Sequence, residues 1–441
     1  MLIKEIYDIF LQCTGVTTDS RKVKKDNLFV ALKGANFNGN AYAEKALNDG
    51  AAYAIVDEAA YQKDDRFLLV DDGLETLQNL ATFHRKQLKA AVIAITGSNG
   101  KTTTKELLCE VLKQKYKTGA TKGNFNNHIG VPLTLLSFPN DVEMAVVEMG
   151  ANHLNEINAL CAIALPNFGL ITSIGKAHLE GFGGPEGVRK AKGELFEYLE
   201  AANARTFVNL NDTNIAELAY YIQKASTYGT GKWAKTNGEI AGLTPFLSVK
   251  WFPRKKHKYH PDIEPLSINT QLVGAYNLDN VLAAIAVGSH FMVGPEQIKS
   301  AIEGYAPTNN RSQVLQQGSN TFILDAYNAN PTSMQKALDN LKQIEAANKG
   351  VVLGDMLELG AYSDTEHQLI VNQLLSMELN CVVLVGKAFR QCSLGTTDKI
   401  KHFDNSKLAK EWFQQQQFDN MYWLVKGSRA MQLEQLVVTS V

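Results

Sequence analysis

The sequence predicts an α/β protein of about three domains with mostly parallel sheets. The chain has 441 residues, and domains average roughly 150 residues. Continuous apolar runs, typical of strands buried on both faces, alternate with segments of helical periodicity. Polar clusters follow the carboxyl ends of several runs, which is where open parallel sheets bind ligands.

The first 88 residues predict a small mixed α/β domain. Short apolar runs at Leu28 to Leu32, Ala52 to Val56 and Phe67 to Val70 alternate with polar and glycine-containing stretches. Such runs have the length of strands.

Residues 89–308 predict a central domain with a mostly parallel sheet. Ala90 to Ile95 is a buried strand, and Lys105 to Lys113 carries its apolar residues on one helical face. Strands that alternate with helices indicate βαβ units. Further predicted strands are Met144 to Val147, Gly169 to Ile174 and Thr206 to Leu210.

Residues 309–441 predict a third domain in which strands again alternate with helices. A helical stripe runs from Met334 to Ile344, and the Pro- and Asn-rich segment Ala306 to Asn310 marks the preceding boundary. The predicted strands are Phe322 to Leu324, Val351 to Leu353, Val382 to Val385 and Tyr422 to Val425.

The composition excludes several functional classes. Lys and Arg total 44 against 45 Asp and Glu, so no chain-wide field favours nucleic acid or a membrane surface. No stretch approaches the ~20 apolar residues of a membrane span. The basic run Trp251 to His260 is isolated and contains Pro253, which favours a solvated loop over a nucleic-acid site. We expect a monomer.

The five cysteines indicate a reducing compartment. They are dispersed, and no pair has C-x-x-C spacing. Residues Met1 to Phe10 include Lys4, Glu5 and Asp8, so they lack the apolar core of a signal peptide. We therefore expect a soluble cytoplasmic protein with free thiols.

A glycine-rich loop, TGSNGKTT at Thr96 to Thr103, lies between a predicted strand and a predicted helix. Glycines let backbone N–H groups approach phosphate, and the helix N-terminus adds positive charge. The motif is G-x-x-G-K-T, since the first glycine of the usual template falls at Ile95; a turn without a ligand is the alternative. The ATP-binding residues predicted here are Gly97, Ser98, Asn99, Gly100, Lys101, Thr102 and Thr103, with Lys101 on the β and γ phosphates and Thr102 on Mg²⁺.

Two further residues, Glu148 and His178, are candidates for chemistry. Glu148 ends an apolar strand and can hold Mg²⁺ near Thr102, or it can be a helix cap or a solvated loop charge. From its position in the sequence alone, His178 can have either a structural or a functional role. Lys190 and Lys192 belong to a lysine run on a predicted helix, and such a run is usually a solvent-exposed face.

The segment TKGNFNNHIG at Thr121 to Gly130 is dense in asparagine. Amides both donate and accept hydrogen bonds, so Asn124, Asn126 and Asn127 can hold sugar hydroxyls or phosphate. An ordinary turn is the alternative.

Together these motifs resemble the ATP-dependent Mur ligases of bacterial cell-wall synthesis. The motifs that carry the resemblance occur in order across nearly the whole chain: TDSRKVKKDNLFVALKG, TGSNGKTT, TKGNFNNHIG, EMGANH, AHLEGFG with KAKGE, GAYNLDN, DAYNANPTSM, LGDMLELG and KGSRAM.

The resemblance implies three domains with separate tasks. Residues 1–88 would bind the UDP-muramyl substrate, residues 89–308 would be a P-loop ATPase, and residues 309–441 would be a Rossmann-like domain that closes on ATP and binds the incoming dipeptide. The implied reaction joins D-alanyl-D-alanine to UDP-N-acetylmuramoyl-tripeptide through an acyl phosphate. It belongs to peptidoglycan precursor synthesis.

The resemblance also implies roles for individual residues. Two Mg²⁺ ions would be held by Thr102, Glu148, His178 and Lys192, the last as a carbamate. ATP would further contact Asn277, Arg311 and Asp325, although Tyr276 replaces a His that often precedes that Asn. The predicted substrate contacts are Ser20 and Arg21 for the uridine diphosphate, Asn124, Asn126 and Asn127 for the muramyl peptide, and Asn328 and Asn330 for the dipeptide.

Three rival interpretations remain. A sibling ligase that adds a diamino acid or lysine carries an Asp-x-Pro-Arg-type motif in its third domain, and the sequence has none there. A non-catalytic nucleotide-binding homologue would be expected to lose members of the set Lys101, Thr102, Glu148, His178 and Lys192. A nucleic-acid NTPase conflicts with the neutral charge.

Overall fold

A computed structural model describes residues 1–253, 264–307, 311–393 and 398–437. The basic part of the run at 254–260 and the boundary residues 308–310 lie outside the described residues. Sheets of four, nine and six strands follow one another along the chain, which confirms the predicted three-domain α/β architecture.

The first sheet has the order β1-β2-β5-β6 and is parallel, and β3 and β4 form a separate antiparallel hairpin. The strands are β1 (Val16–Thr17), β2 (Leu28–Val30), β3 (Lys33–Gly34), β4 (Phe37–Asn38), β5 (Tyr53–Val56) and β6 (Phe67–Leu69). The helices are α1 (Ile3–Phe10), α2 (Ala43–Asn48) and α3 (Gly73–Gln87).

The central sheet has the order β15-β14-β13-β12-β11-β10-β7-β9-β8, parallel from β8 to β13 and antiparallel beyond it. Its strands are β7 (Ala91–Thr96), β8 (Thr118–Ala120), β9 (Met144–Glu148), β10 (Phe168–Ile171), β11 (Arg205–Asn209), β12 (Ala225–Gly229), β13 (Thr236–Gly242), β14 (Ser248–Phe252) and β15 (Leu266–Asn269). Its helices are α4 (Lys101–Lys113), α5 (Gly130–Leu136), α6 (Glu156–Ala164), α7 (Leu179–Phe182), α8 (Pro185–Ala201), α9 (Thr213–Leu218), α10 (Asn277–His290) and α11 (Pro295–Gly304).

The third sheet has the order β16-β17-β21-β18-β19-β20, with only β16 antiparallel to its neighbour among the described strands. Its strands are β16 (Gln313–Gln317), β17 (Asn320–Asp325), β18 (Asn348–Gly354), β19 (Cys381–Val385), β20 (Ile400–Phe403) and β21 (Met421–Lys426). Its helices are α12 (Pro331–Gln343), α13 (Ser363–Leu375), α14 (Lys387–Arg390) and α15 (Ser406–Gln415).

The central strand β7 shows why its sequence is continuously apolar. Val92 and Ala94 face one apolar cluster, and Ile93 and Ile95 face another on the opposite side of the sheet. Alternate side chains point to opposite faces, so a strand covered on both faces needs apolar residues at every position.

Three sequence predictions are corrected in detail. Strand β10 ends at Ile171 rather than Ile174, because Thr172 and Ser173 turn to bind the glycine-rich loop. Helix α4 begins at Lys101 rather than Lys105, so the loop lysine is its first residue. Trp251 lies in β14 and is 4% exposed, so the run that begins there starts in the core and not in a solvated loop.

We predict that Gly350→Ala destabilises the third domain. A Cβ at Gly350 would collide with the ring of Trp423, which is fully buried in the neighbouring strand β21. Overpacking of this kind costs about 1–3 kcal/mol of unfolding free energy. Urea unfolding should show a lower midpoint, whereas Gly304→Ala, where no heavy atom lies within 4 Å, should behave like the parent. Equal midpoints for both variants would contradict this account.

Candidate functional site

The loop between β7 and α4 has a backbone that requires glycine at two positions. Gly97 has φ +148°, and a Cβ there would collide with the hydroxyl of Thr172. Gly100 has φ +82°, and its Cβ would lie 2.5 Å from Oδ1 of Asn280. Both glycines are in the region that other residues rarely adopt, so the loop lies tightly against the segments that follow β10 and begin α10.

The segment after β10 holds the glycine-rich loop by hydrogen bonds to Ser98 and Asn99. The amide of Ser98 donates to the carbonyl of Ser173 at 2.9 Å, and the amide of Asn99 donates to the Ser173 hydroxyl at 3.0 Å. The Ser98 hydroxyl donates to the carbonyl of Gly175 at 3.0 Å. These three hydrogen bonds hold the loop against the segment after β10.

Lys101 lies at the start of α4 with its ammonium turned back on the loop. Nζ donates to the carbonyl of Gly97 at 2.7 Å. Burial lowers the pKa of Lys101, which Glu148 opposes and Arg311 reinforces. Because a desolvated ammonium gains from an anionic partner, this position suits phosphate oxygens.

Glu148 ends β9 as a buried carboxylate, 2% exposed. Thr102 Oγ1 donates to its Oε2 at 2.9 Å, and Asn126 Nδ2 donates to its Oε1 at 2.8 Å. Nζ of the buried Lys105 lies 3.9 Å from Oε2. Thr102 and Glu148, which are predicted to hold the same Mg²⁺, are thus hydrogen-bonded to each other.

Sequence reasoning missed Lys105. It lies four residues after Lys101 on α4, and residues at this spacing share one face of a helix. That spacing could have indicated that Lys105 lies near Lys101. The sequence analysis did not assign it because a lysine in a helix is usually exposed to solvent.

Lys192 and Lys190 have opposite environments on α8. Lys190 is exposed, whereas Lys192 is 1% exposed. Nζ of Lys192 lies 3.4 Å from the carbonyl of Ala151 and 5.1 Å from the ring centre of Phe182. Burial, with repulsion from Lys101, lowers the pKa of Lys192 to about 7. A substantial fraction of its amine is therefore neutral near pH 7.

His178 reaches the third domain. It has φ +52°, and its Nδ1 is hydrogen-bonded to the carboxylate of Glu358, which has φ +62°. The bond to His178 lowers the pKa of Glu358. Two non-glycine residues in the left-handed region thus meet across a domain boundary, and such strain collects at functional sites.

The glycine-rich loop lines a cavity with a volume of about 890 Å³. Asn277, Arg311 and Asp325, which are predicted to contact the nucleotide, line this cavity as well. Both the amide nitrogen and oxygen of Asn277 are hydrogen-bonded, to Val273 and Asn280. The Arg311 guanidinium stacks 3.7 Å from the ring centre of Tyr327. Asp325 forms an ion pair with the buried Lys426, which sequence reasoning had not assigned.

The third domain already contacts the loop. Asn330 Nδ2 donates to Oδ1 of Asn99 at 2.8 Å, and Lys176 Nζ forms an ion pair with Glu366 at 2.5 Å. Arg311 and Asp325 therefore line the same cavity as the loop.

The predicted substrate residues have different surroundings. Asn124 is exposed, Asn126 holds Glu148, and Asn127 Oδ1 accepts from the Gly130 amide at 2.8 Å at the start of α5. All three line the cavity, as do Asn328 and Asn330. Asn330 also caps α12, since its Oδ1 accepts from the Ser333 amide.

Ser20 and Arg21 are not brought to this cavity. They lie in a short 3₁₀ turn (Ser20–Lys22), where Arg21 pairs with Asp19 at 2.9 Å. The hydrogen bond from Arg21 lowers the pKa of Asp19 to about 2.

Family models for Mur ligases match the chain in three consecutive segments. The "Mur ligase family, catalytic domain" model matches residues 12–85, the "Mur ligase middle domain" model matches 95–288, and the "Mur ligase, glutamate ligase domain" model matches 310–429. The family's three parts thus occur in order.

Individual proteins are similar over their full lengths. The UDP-N-acetylmuramoyl-tripeptide–D-alanyl-D-alanine ligase of Bacillus subtilis (strain 168) is 34% identical over 435 residues, 96% of this chain and 92% of the relative. A crystal structure of MurF from Acinetobacter baumannii has a TM-score of 0.86 at 30% identity, covering 98% of this chain and 97% of that one. The MurF ligase of Thermotoga maritima, solved in complex with ADP, has a TM-score of 0.82 at 25% identity and covers 97% of each chain.

The full-length similarity agrees with the three consecutive family matches, and the chain belongs to the Mur ligase family of ATP-dependent, amide-bond-forming ligases.

Proposed function

We propose that this chain joins D-alanyl-D-alanine to UDP-N-acetylmuramoyl-tripeptide, giving the pentapeptide, ADP and phosphate in peptidoglycan precursor synthesis. The observation that carries the proposal is the full-length similarity to ligases of that name, at 34% identity over 96% of the chain. The cavity between the central and third domains supports it, because one wall is the phosphate loop and the other comes from β17 and β21.

The chemistry requires two steps at one carbonyl carbon. A carboxylate is a poor electrophile, so the γ-phosphoryl group is first transferred to an oxygen of the tripeptide's terminal carboxylate, and ADP leaves. The dipeptide amine then forms a bond to that carbon and loses a proton, and the tetrahedral intermediate expels inorganic phosphate. Both reactants of the first step are anionic, so cations and positioning supply much of the rate.

The phosphate loop supplies the first part of this environment. Since the amides of Ser98 and Asn99 already donate to Ser173, the amides at the start of α4, from Gly100 to Thr103, bind the phosphate oxygens, and Lys101 moves from the Gly97 carbonyl to the β and γ phosphates. The 2.7 Å contact of its ammonium to the loop supports this role, since the phosphate would replace a weaker neutral acceptor.

We propose that Mg²⁺ binds at Thr102 and Glu148. Among the described residues, no three His, Cys, Asp or Glu side chains cluster as a complete metal site. Mg²⁺ is commonly held by one or two carboxylates together with phosphates and waters. The adjacent hydroxyl and carboxylate, 2.9 Å apart, fit that donor set. When bound, the ion screens the charge of the phosphates.

A second Mg²⁺ is assigned to His178 and a carbamylated Lys192. The neutral amine of Lys192 would add to CO₂ and lose one proton. This reaction converts an uncharged amine into an anionic carbamate. Burial and repulsion from Lys101 outweigh the attraction of Glu194 and Glu156 and lower the pKa of Lys192, and this supports the change because the neutral amine is the form that reacts. His178 would bind through a ring nitrogen, and its present partner Glu358 would fix the ring orientation.

The remaining ligand contacts are proposed from the family's motifs. Asn277, Arg311 and Asp325 bind the nucleotide, and Ser20 and Arg21 bind the uridine diphosphate. Asn124, Asn126 and Asn127 face the muramyl peptide, and Asn328 and Asn330 face the dipeptide. The five free cysteines support a cytoplasmic location. Among the described helices, none is both long and apolar enough to cross a membrane.

The acceptor distinguishes this function from that of a diamino-acid-adding sibling. We predict phosphate release when UDP-N-acetylmuramoyl-tripeptide and ATP are supplied with D-alanyl-D-alanine, and none with single amino acids. Tripeptides ending in diaminopimelate and in lysine should both be offered. Phosphate release with a single amino acid alone would overturn the proposed function.

Removal of the loop cation tests the ATPase role. Lys101→Ala should lower kcat/KM by about 100- to 1,000-fold, because it removes a charge aimed at the transferring phosphoryl group. Lys113→Ala is the matched control: it lies on the same helix, and its ammonium pairs with Glu110 at 2.7 Å at the surface. Full turnover by Lys101→Ala would exclude a catalytic role for the loop.

The carbamate role of Lys192 predicts both an activity and a spectrum. Lys192→Ala should lose most activity, and added bicarbonate should not restore it, because no amine remains to react. With ¹³C-labelled bicarbonate, the wild type and the exposed-site control Lys190→Ala should show a carbamate carbon signal that Lys192→Ala lacks. Activity near the wild-type level in Lys192→Ala, or an unchanged signal, would refute the role.

A further inference from the structure

The third domain contacts His178 through a loop that follows β18. This loop, Met356 to Gly360, is called the Glu358 loop. The Glu358 carboxylate is hydrogen-bonded to Nδ1 of His178, and the Glu358 carbonyl accepts from the amide of Glu180 at 3.2 Å. Glu358 has φ +62°, a value that a non-glycine residue keeps only where its surroundings hold it.

His367 on α13 supplies one of the contacts that hold this loop. Its side chain is fully buried, and its Nε2 accepts from the amide of Met356 at 3.0 Å. Its Nδ1 lies 2.8 Å from the carbonyl of Ser363, to which a ring nitrogen can only donate. The ring is therefore the uncharged tautomer with its proton on Nδ1, and the lone pair on Nε2 accepts from the first amide of the loop.

A second acceptor holds the next amide of the Glu358 loop. The amide of Leu357 donates to the hydroxyl of the buried Ser428 at 3.0 Å. The side chains of Met356 and Leu359 are both 2% exposed. The loop is therefore anchored at its start and on both sides of the Glu358 side chain.

Helix α13 also holds the segment around His178 directly. Glu366, the neighbour of His367, is buried and pairs with Nζ of Lys176 at 2.5 Å. Lys176 lies two residues before His178. The beginning of α13 therefore contacts this segment at two points, directly through Glu366 and indirectly through His367 and the Glu358 loop.

Packing alone does not require an imidazole at position 367. The His367 ring meets the ring of Phe389 edge to face, with 4.8 Å between ring centres and an interplanar angle of 85°, and a phenyl ring makes the same kind of contact. The imidazole adds the acceptor for the Met356 amide. A buried amide that loses its acceptor is costly, so without Nε2 the start of the loop would shift, and Glu358 would shift with it.

Resting on the proposed function, in which His178 holds the second Mg²⁺, we propose that His367 is a positioning residue for the reaction. Through the Met356 amide it holds the Glu358 carboxylate against Nδ1 of His178. A ring that donates from Nδ1 keeps its lone pair on Nε2, and a fixed partner of this kind sets both the tautomer and the direction of a ligating histidine. His367 lines neither cavity, so it acts on His178 only through these hydrogen bonds.

The first test reads the state of the His178 ring without turnover. In full-length protein with ¹⁵N-labelled histidine, proton–nitrogen correlation spectra at alkaline pH report which ring nitrogen carries the proton, and His178→Gln identifies the His178 signal. We expect the form protonated on Nδ1 in the wild type. His367→Phe should shift the signal toward the other tautomer, and His367→Gln, whose side-chain oxygen reaches the position of Nε2, should restore it.

The second test is a double-mutant cycle on the reaction. His367→Phe should lower kcat/KM by about 10- to 100-fold, the usual range for an outer partner of a metal-binding histidine. In a Glu358→Ala background the same substitution should have almost no further effect, because the carboxylate that His367 positions is gone. In the parent background, His367→Gln should recover most of the activity.

His84→Phe is the matched control. His84 on α3 is also buried, and its Nε2 is hydrogen-bonded to the carbonyl of Phe138 at 3.1 Å. Its replacement should lower the urea midpoint but leave the His178 signal and kcat/KM unchanged. If His367→Phe does not fold, His367→Asn takes its place, because its amide is polar but too short to reach Met356. The comparison of Asn with Gln at position 367 then tests the same acceptor.

The inference and the proposed function can fail separately. An unchanged His178 signal in His367→Phe, or an equal loss of kcat/KM in both Glu358 backgrounds, would overturn the inference, because His367 would then only stabilise the third domain. If the wild type releases no phosphate with the dipeptide, the proposed function fails instead. The His178 signal still decides the inference in that case, since the spectrum requires neither substrate nor turnover.

Discussion

The site is organised by one buried carboxylate, that of Glu148. Removing a charge from water costs several kcal/mol unless partners compensate for it, and here the partners come from separate parts of the chain. Thr102 and Lys105 belong to the helix that follows the phosphate loop, and Asn126 belongs to the asparagine-rich segment. Burial of the carboxylate therefore fixes the loop helix and this segment relative to β9. That is the arrangement a hard cation bridging protein and phosphate oxygens requires.

The second organising constraint is the orientation of two parallel sheets. The carboxyl ends of β7, β9 and β10 in one sheet, and of β17 and β21 in the other, reach the same cavity. Strands β17 and β21 are neighbours in register, so Asp325 lies opposite Lys426 and the two form an ion pair. Ligands bind beyond the carboxyl ends of parallel strands, and two such edges facing one gap allow two substrates and a nucleotide to meet there. The contact between Asn99 and Asn330 joins the edges directly.

The sequence contained enough information for the parallel core and the loop, because both are local patterns. Buried parallel strands are continuously apolar, and a glycine-rich turn before a helix is contiguous in the chain. The strands β13 to β15 were missed because they are mixed in polarity, and β13 (TNGEIAG) contains only one large apolar residue, Ile240. Partners far apart in sequence were also out of reach. Nothing local indicates that Asn126 would bind Glu148, or that Glu358 would adopt a positive φ and meet His178.

Charge balance connects the buried lysines to the ligands. Lys105 and Lys192 are buried and Lys101 is half-buried, and repulsion between Lys101 and Lys192 contributes to the lowered pKa of Lys192. Carboxylates oppose this charge in part, Glu148 near Lys101 and Glu156 and Glu194 near Lys192, and a desolvated lysine still gains from an anionic ligand such as a triphosphate. In the proposed function Mg²⁺ would in turn offset the negative charge of these ligands, and a neutral amine at Lys192 is a poor ligand for an ion that prefers oxygen. Conversion of that amine to a carbamate would supply the missing anion, which is why the most buried lysine of the set is the one whose covalent state should matter most.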